Sequence, residues 1–138
     1  MPGPPDAVET ALRALRYRDR TAAELAARLE QRGVGEAERN QALETLERIG
    51  YVDDARFAHT RAQQLAERSS GDALIRDDLE RRGVAADAIE LALEALEPER
   101  ERAARVAERR GRTVKTARYL ALRGFGEEAL DALVAAED

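Results

Sequence analysis

The sequence predicts an all-α protein made of repeated helical units, on three observations. Charged residues make up 37% of the 138 residues and aromatics 4%, with Ala and Leu supplying most of the apolar surface. These are helix formers, and no alternating run of β-branched residues offers a strand. Apolar residues recur at three- and four-residue spacing in short blocks, most of them ended by Gly or opened by a capping residue. The blocks also resemble one another: Leu25, Leu29, Gly33 and Val34 are spaced as Ile75, Leu79, Gly83 and Val84, and Leu43 and Leu46 return as Leu93 and Leu96, a period of 50 residues.

A third, shortened copy places Gly124 41 residues after Gly83, with Leu120 and Val134 in matching positions and Thr116 where Leu25 and Ile75 stand. The expected organisation is a disordered leader at 1–5, three-helix repeats at 6–50 and 51–97, and a shortened three-helix repeat at 98–138 that carries a basic ridge. One such unit has too little apolar surface to be stable alone, whereas stacked units bury their stripes against each other.

In the first repeat, Asp6 is placed to cap a helix through about Arg18, with Val8, Ala11, Leu12 and Leu15 inward. Thr21-Ala22-Ala23-Glu24 is a capping-box pattern opening a second helix, with Leu25 and Leu29 on one face and Gly33 as its stop. The third runs from about Glu36 to Ile49, with Ala42, Leu43, Leu46 and Ile49 inward.

The second repeat opens with a helix reaching about Glu67, and Ser69-Ser70-Gly71-Asp72 reads as a break and a fresh cap. The next helix turns Leu74, Ile75 and Leu79 inward and stops at Gly83; Asp87 begins another with Ile89, Ala92, Leu93 and Leu96. In the third repeat, Pro98 suits the first turn of a helix reaching Arg110, with Ala103, Val106 and Ala107 as its apolar stripe. Thr113 caps a helix that buries Leu120, and Glu127 opens a last one using Leu130, Leu133 and Val134.

The junction of the first two repeats is Gly50-Tyr51-Val52-Asp53-Asp54-Ala55-Arg56-Phe57-Ala58. Gly50 can take the positive φ that ends a helix, and Asp53 or Asp54 can cap the next. Tyr51 and Phe57 flank the turn, where a large apolar contact would brace its angle. Tyr51, Asp53 and Phe57 are therefore expected to fix the angle between repeats rather than to meet a partner.

No catalytic constellation is expected. The chain has no cysteine and one histidine, His59, which points away from Phe57 at helical spacing. The pairs Asp53-Asp54 and Asp77-Asp78 point about 100° apart on a helix and do not converge on one metal or proton. No phosphate loop, nucleophile elbow or zinc motif occurs, so no cofactor or metal is expected. No apolar run approaches the roughly 20 residues a membrane-spanning helix needs, and absent cysteine suits the cytoplasm.

Charge is distributed unevenly along a chain whose net value is −5. Residues 1–97 carry −6, residues 98–123 carry +6 and residues 124–138 carry −5. Arg102, Arg105, Arg109 and Arg112 recur at three to four residues, and Lys115, Arg118 and Arg123 extend this ridge into the next helix. It is either a solvated face or a site for phosphates or an acidic protein groove. A DNA-reading helix-turn-helix is disfavoured in the first two repeats, where Glu38, Glu44, Glu47, Glu90 and Glu94 would repel phosphates.

The junction Gly50–Ala58 resembles the signature of the RecX family, regulators of the bacterial recombinase RecA. Ala42-Leu43-x-x-Leu46, Leu79-Glu80-Arg81-Arg82-Gly83-Val84 and Arg18-Asp19-Arg20-Thr21-x-x-Glu24-Leu25 extend the similarity over nearly the whole chain from about residue 8. It implies tandem three-helix repeats in an elongated, curved array. It also implies a monomeric regulator, not an enzyme, that binds RecA or its nucleoprotein filament and inhibits its ATPase, coprotease and strand-exchange activities. In this setting the family positions are Gly50, Tyr51, Asp53, Asp54, Arg56 and Phe57. The ridge from Arg102 to Arg123 would contact filament DNA, weakly, or an acidic RecA surface, and the acidic first two repeats would face basic RecA loops. The alternatives are a helical adaptor for a different protein and a nonspecific DNA binder working through the basic block.

Overall fold

A computed structural model describes residues 6–135. The expected leader at 1–5 lies outside them. Within the described residues the apolar spacing gives nine helices and no strand. They are α1 (Ala7–Leu15), α2 (Ala22–Gln31), α3 (Glu36–Arg48), α4 (Asp54–Glu67), α5 (Asp72–Arg81), α6 (Ala86–Glu94), α7 (Glu99–Arg110), α8 (Val114–Leu122) and α9 (Glu127–Ala135).

Capping residues start several of these helices as their side chains dictate. Asp6 accepts the Glu9 N–H at 3.2 Å. Thr21 and Glu24 form a reciprocal box, each side chain accepting the other's backbone N–H at 3.0–3.1 Å. Thr113 accepts the Thr116 N–H at 3.2 Å. By contrast α1 stops at Leu15 rather than near Arg18. Past Leu15 nothing is buried to hold another turn, and Tyr17 is 80% exposed.

The chain divides into two compact units. The first runs through Phe57 and takes in Arg82–Val84. Its core joins Ala11 and Ala14 of α1, Leu25 and Leu29 of α2, Leu46 of α3, and Val34 and Val52 from the turns. Leu43 is partly buried against it. Ile49 is not inward as its spacing suggested but 55% exposed, because α3 ends at Arg48 and Ile49 is already its C-cap.

The second unit holds Ala58–Arg81 and the chain from Ala85 onward. Here α4 buries Ala58, Ala62 and Leu65, α5 buries Ile75 and Leu79, and α6 buries Ile89, Ala92 and Leu93. A separate cluster gathers Ala103, Val106, Ala107, Leu120, Phe125, Ala129 and Leu133. Val134, expected in that core, is 53% exposed. It follows Leu133 by about 100° of helix rotation, and Ala129, one turn before Leu133, fills the inward place instead.

Each unit contains a close backbone approach built on a helix-ending glycine. In the first, Gly83 has φ 82°, and a Cβ on it would lie 2.4 Å from the Ala23 Cβ. Beside it the Thr21 hydroxyl donates to the Arg82 carbonyl at 2.6 Å. In the second, Gly124 has φ 87°, and a Cβ on it would lie 2.6 Å from the Leu74 nitrogen. There the Gly71 N–H donates to the Arg123 carbonyl at 2.8 Å. Only glycine provides both the positive φ and the clearance at these two positions.

Candidate interaction surface

Helix α7 is electrostatically well formed: Pro98 precedes it, Glu99 and Glu101 occupy its first turn, and Arg109 and Arg110 its last. Its stripe Ala103, Val106 and Ala107 faces the core, which leaves Arg105 and Arg109 outward. Arg112, Lys115 and Arg118 continue the exposed cations through the turn into α8. Arg105 pairs with Glu97 at 2.5 Å while its side chain stays 65% exposed. Alongside, a cleft of about 390 Å³ is lined by Gln63, Glu67, Leu96, Arg105, Arg109 and Phe125, among others.

Two members of the expected ridge belong elsewhere. Arg102 is only 8% exposed. Its guanidinium donates to the Glu97 carbonyl at 2.9 Å, to the Ser70 carbonyl at 2.9 Å and to the Asp72 carboxylate, and lies 5.7 Å from the Phe125 ring centroid. Arg123, half-buried, donates to the Arg68 carbonyl at 2.8 Å, the Ser69 carbonyl at 3.4 Å and the Ser70 hydroxyl at 3.2 Å.

Both arginines serve one turn. Ser69 adopts a left-handed φ of 63° at the end of α4, and the Arg68, Ser69 and Ser70 carbonyls turn out of the helix ladder. Two guanidinium forks satisfy all three. Burial pushes the Asp72 carboxyl above its ordinary range, against the opposing pull of Arg102 and with a further upward push from Glu99.

The Ser-Ser-Gly-Asp break therefore does not cap α5 with its own side chain. Glu99 does so: one carboxylate oxygen accepts the Asp72 N–H at 2.6 Å and the other accepts the Gly126 N–H at 2.8 Å. One free donor at the start of α5 and one at the start of α9 are thus held by the same side chain.

At the 50–57 junction the two aspartates divide the work. Asp53 accepts the Arg56 N–H at 3.0 Å and caps its own helix. Asp54 reaches the start of α2 and accepts the Ala22 N–H at 2.9 Å. Arg56 donates to the Gly50 carbonyl at 3.2 Å. Phe57 is half-buried with the Arg82 guanidinium 5.9 Å from its centroid, and Arg82 also binds Glu24 at 3.2 Å. Tyr51 does not brace the turn as its position suggested: it is 58% exposed.

Sequence reasoning did not single out Val114 and Leu122, 59% and 86% exposed on α8, or Arg110, which stacks 3.7 Å from the Tyr119 ring centroid. The period of α8 carried a signal, since Leu122 sits beside Arg118 and away from Leu120.

Comparison with known proteins fits this architecture. The family model for the first three-helix domain of RecX matches residues 7–46, and that for its second three-helix domain matches residues 53–93. The chain belongs to the RecX family. It is 34% identical to regulatory protein RecX of Halorhodospira halophila over 140 residues, covering 94% of this chain and 87% of that one. It is 32% identical to regulatory protein RecX of Deinococcus radiodurans over 126 residues, which is 84% of this chain but only 60% of that relative's length. The crystal structure of RecX from Lactobacillus salivarius superposes with a TM-score of 0.80 at 20% identity, covering 94% of this chain and 93% of that one. A second crystal structure of regulatory protein RecX gives 0.79 at 23% identity, covering 94% of this chain and 71% of that one. These two share the all-α fold.

Proposed function

We propose that this chain is a cytoplasmic, non-enzymatic regulator that binds RecA or its nucleoprotein filament and inhibits its ATPase, coprotease and strand-exchange activities. The observation that carries this, beside RecX family membership, is the run of exposed cations on α7 and α8: Arg105, Arg109, Arg112, Lys115 and Arg118. Arg102 and Arg123 leave the contact set and hold up the surface instead. We read the chain as three-helix repeats at 6–50, 51–97 and 98–138. The cationic third repeat meets acidic groups or phosphates of the filament, and the acidic first two face basic RecA loops. A filament presents identical sites in register, so modest contacts by a monomer act at high effective concentration.

The test is the single-stranded-DNA-dependent ATPase rate of the cognate RecA, titrated with this protein. Inhibition is expected, weakening as salt rises. The variant R105E/R109E/R112E should need at least tenfold more protein for the same inhibition while its helical circular dichroism is unchanged. Full inhibition by that variant would remove the ridge from the mechanism, and no effect from folded wild type would point to a different protein partner.

A further inference from the structure

Helix α8 packs Thr116 and Leu120 inward. Its outer side has a composition that a solvated face does not need. At about 100° per residue, Ala121, Val114, Arg118, Leu122 and Lys115 fall in that order within an arc of about 120°, and all five are exposed. Two of the large apolar side chains most open to solvent, Val114 at 59% and Leu122 at 86%, thus flank a cation on one stripe. We propose that this outer face of α8 docks an acidic, amphipathic segment of a protein partner, whose aliphatic side chains cover Val114 and Leu122 and whose carboxylates meet Lys115 and Arg118.

This rests on taking the α7–α8 surface as the binding surface, and it assigns the α8 part to protein rather than to nucleic acid. Phosphates would use the cations alone and leave both aliphatic residues in water. Base stacking has no platform here: Phe125 is 5% exposed, and Arg110 already covers the Tyr119 ring at 3.7 Å. An amphipathic partner helix satisfies both features, with apolar anchors at helical spacing and acidic residues beside them.

The experiment compares wild type with V114S/L122S, which keeps every charge and changes only exposed side chains. Three labelled probes are titrated: the RecA–single-stranded-DNA filament, a synthetic Leu/Glu amphipathic helix, and a bare oligo(dT). The expected result is at least tenfold weaker binding of the filament or the peptide, with oligo(dT) affinity within twofold of wild type. Unchanged binding of both filament and peptide would overturn the proposal, as would an equal loss on oligo(dT). Wild type that ignores the filament, yet binds the peptide through Val114 and Leu122, would refute RecA as partner and leave the docking face standing.

Discussion

The two helix starts at Ala22 and Asp72 solve one problem with different chemistry. Each begins a helix that places an apolar pair in the core, Leu25 and Leu29 in one unit and Ile75 and Leu79 in the other. Each receives a carboxylate from the start of a later helix, Asp54 for Ala22 and Glu99 for Asp72. Each is approached by the carbonyl preceding a positive-φ glycine, Arg82 before Gly83 and Arg123 before Gly124. The first adds a threonine capping box and a half-buried phenylalanine, Phe57, third after Asp54. The second has glycine in place of threonine, and Arg102 stands third after Glu99. What one unit achieves with a hydroxyl and an aromatic ring, the other achieves with a backbone N–H and a buried guanidinium. Equivalent positions in repeats keep the geometry while the side chain follows the local supply of unpaired groups. At Ser69 that supply is a set of carbonyls.

The contrast is broken most severely at the buried guanidinium. Arg102→Ala strips donors from two carbonyls and from the Asp72 carboxylate, and a cost of about 3 kcal/mol is expected. Arg82→Ala removes a more exposed contact from Glu24 and should cost about 1 kcal/mol. Urea melts of the two variants check the ordering, and equal losses would show that burial of Arg102 contributes nothing special.

The carboxylate caps come next. Glu99 serves two helix starts and Asp54 one, so Glu99→Ala should cost about 2 kcal/mol and Asp54→Ala about 1 kcal/mol. Hydrogen exchange should speed up at the Asp72 and Gly126 amides in the former and at Ala22 in the latter. The smallest effect is in pH dependence. With its pKa raised in the fold, Asp72 contributes stability that is present below its unfolded value of about 4 and is lost as pH rises through the folded value. Asp72→Asn removes that contribution, so the variant should lose stability more steeply than wild type on acidification toward pH about 4. Parallel stability curves would contradict this.

Much of the secondary structure was legible because helix starts and stops are local. The capping box at Thr21, the cap at Thr113 and the glycine stops depend on residues within a turn of one another, and they appear where the spacing puts them. The buried pairs Leu25/Leu29 and Ile75/Leu79 follow from helical period alone. The candidate surface was legible as a charge asymmetry but not residue by residue. Arg102 and Arg105 are chemically identical and one turn apart, yet one is buried on Phe125 and the other faces solvent. Period marks which side of a helix each occupies, not whether a later segment covers that side.

The sequence by itself determined the helices, most of their inward stripes, the glycine turns and the basic stretch between two acidic ones, because these arise from interactions within a few residues. The tertiary structure decided the rest: that Asp54 caps α2, that Glu99 joins the starts of α5 and α9, that Arg102 and Arg123 close the Ser69 turn, and that Tyr51, Ile49 and Leu122 stay in water. Each depends on which unpaired backbone groups and which apolar surfaces meet across tens of residues. A buried donor or acceptor must find its partner wherever the fold brings one.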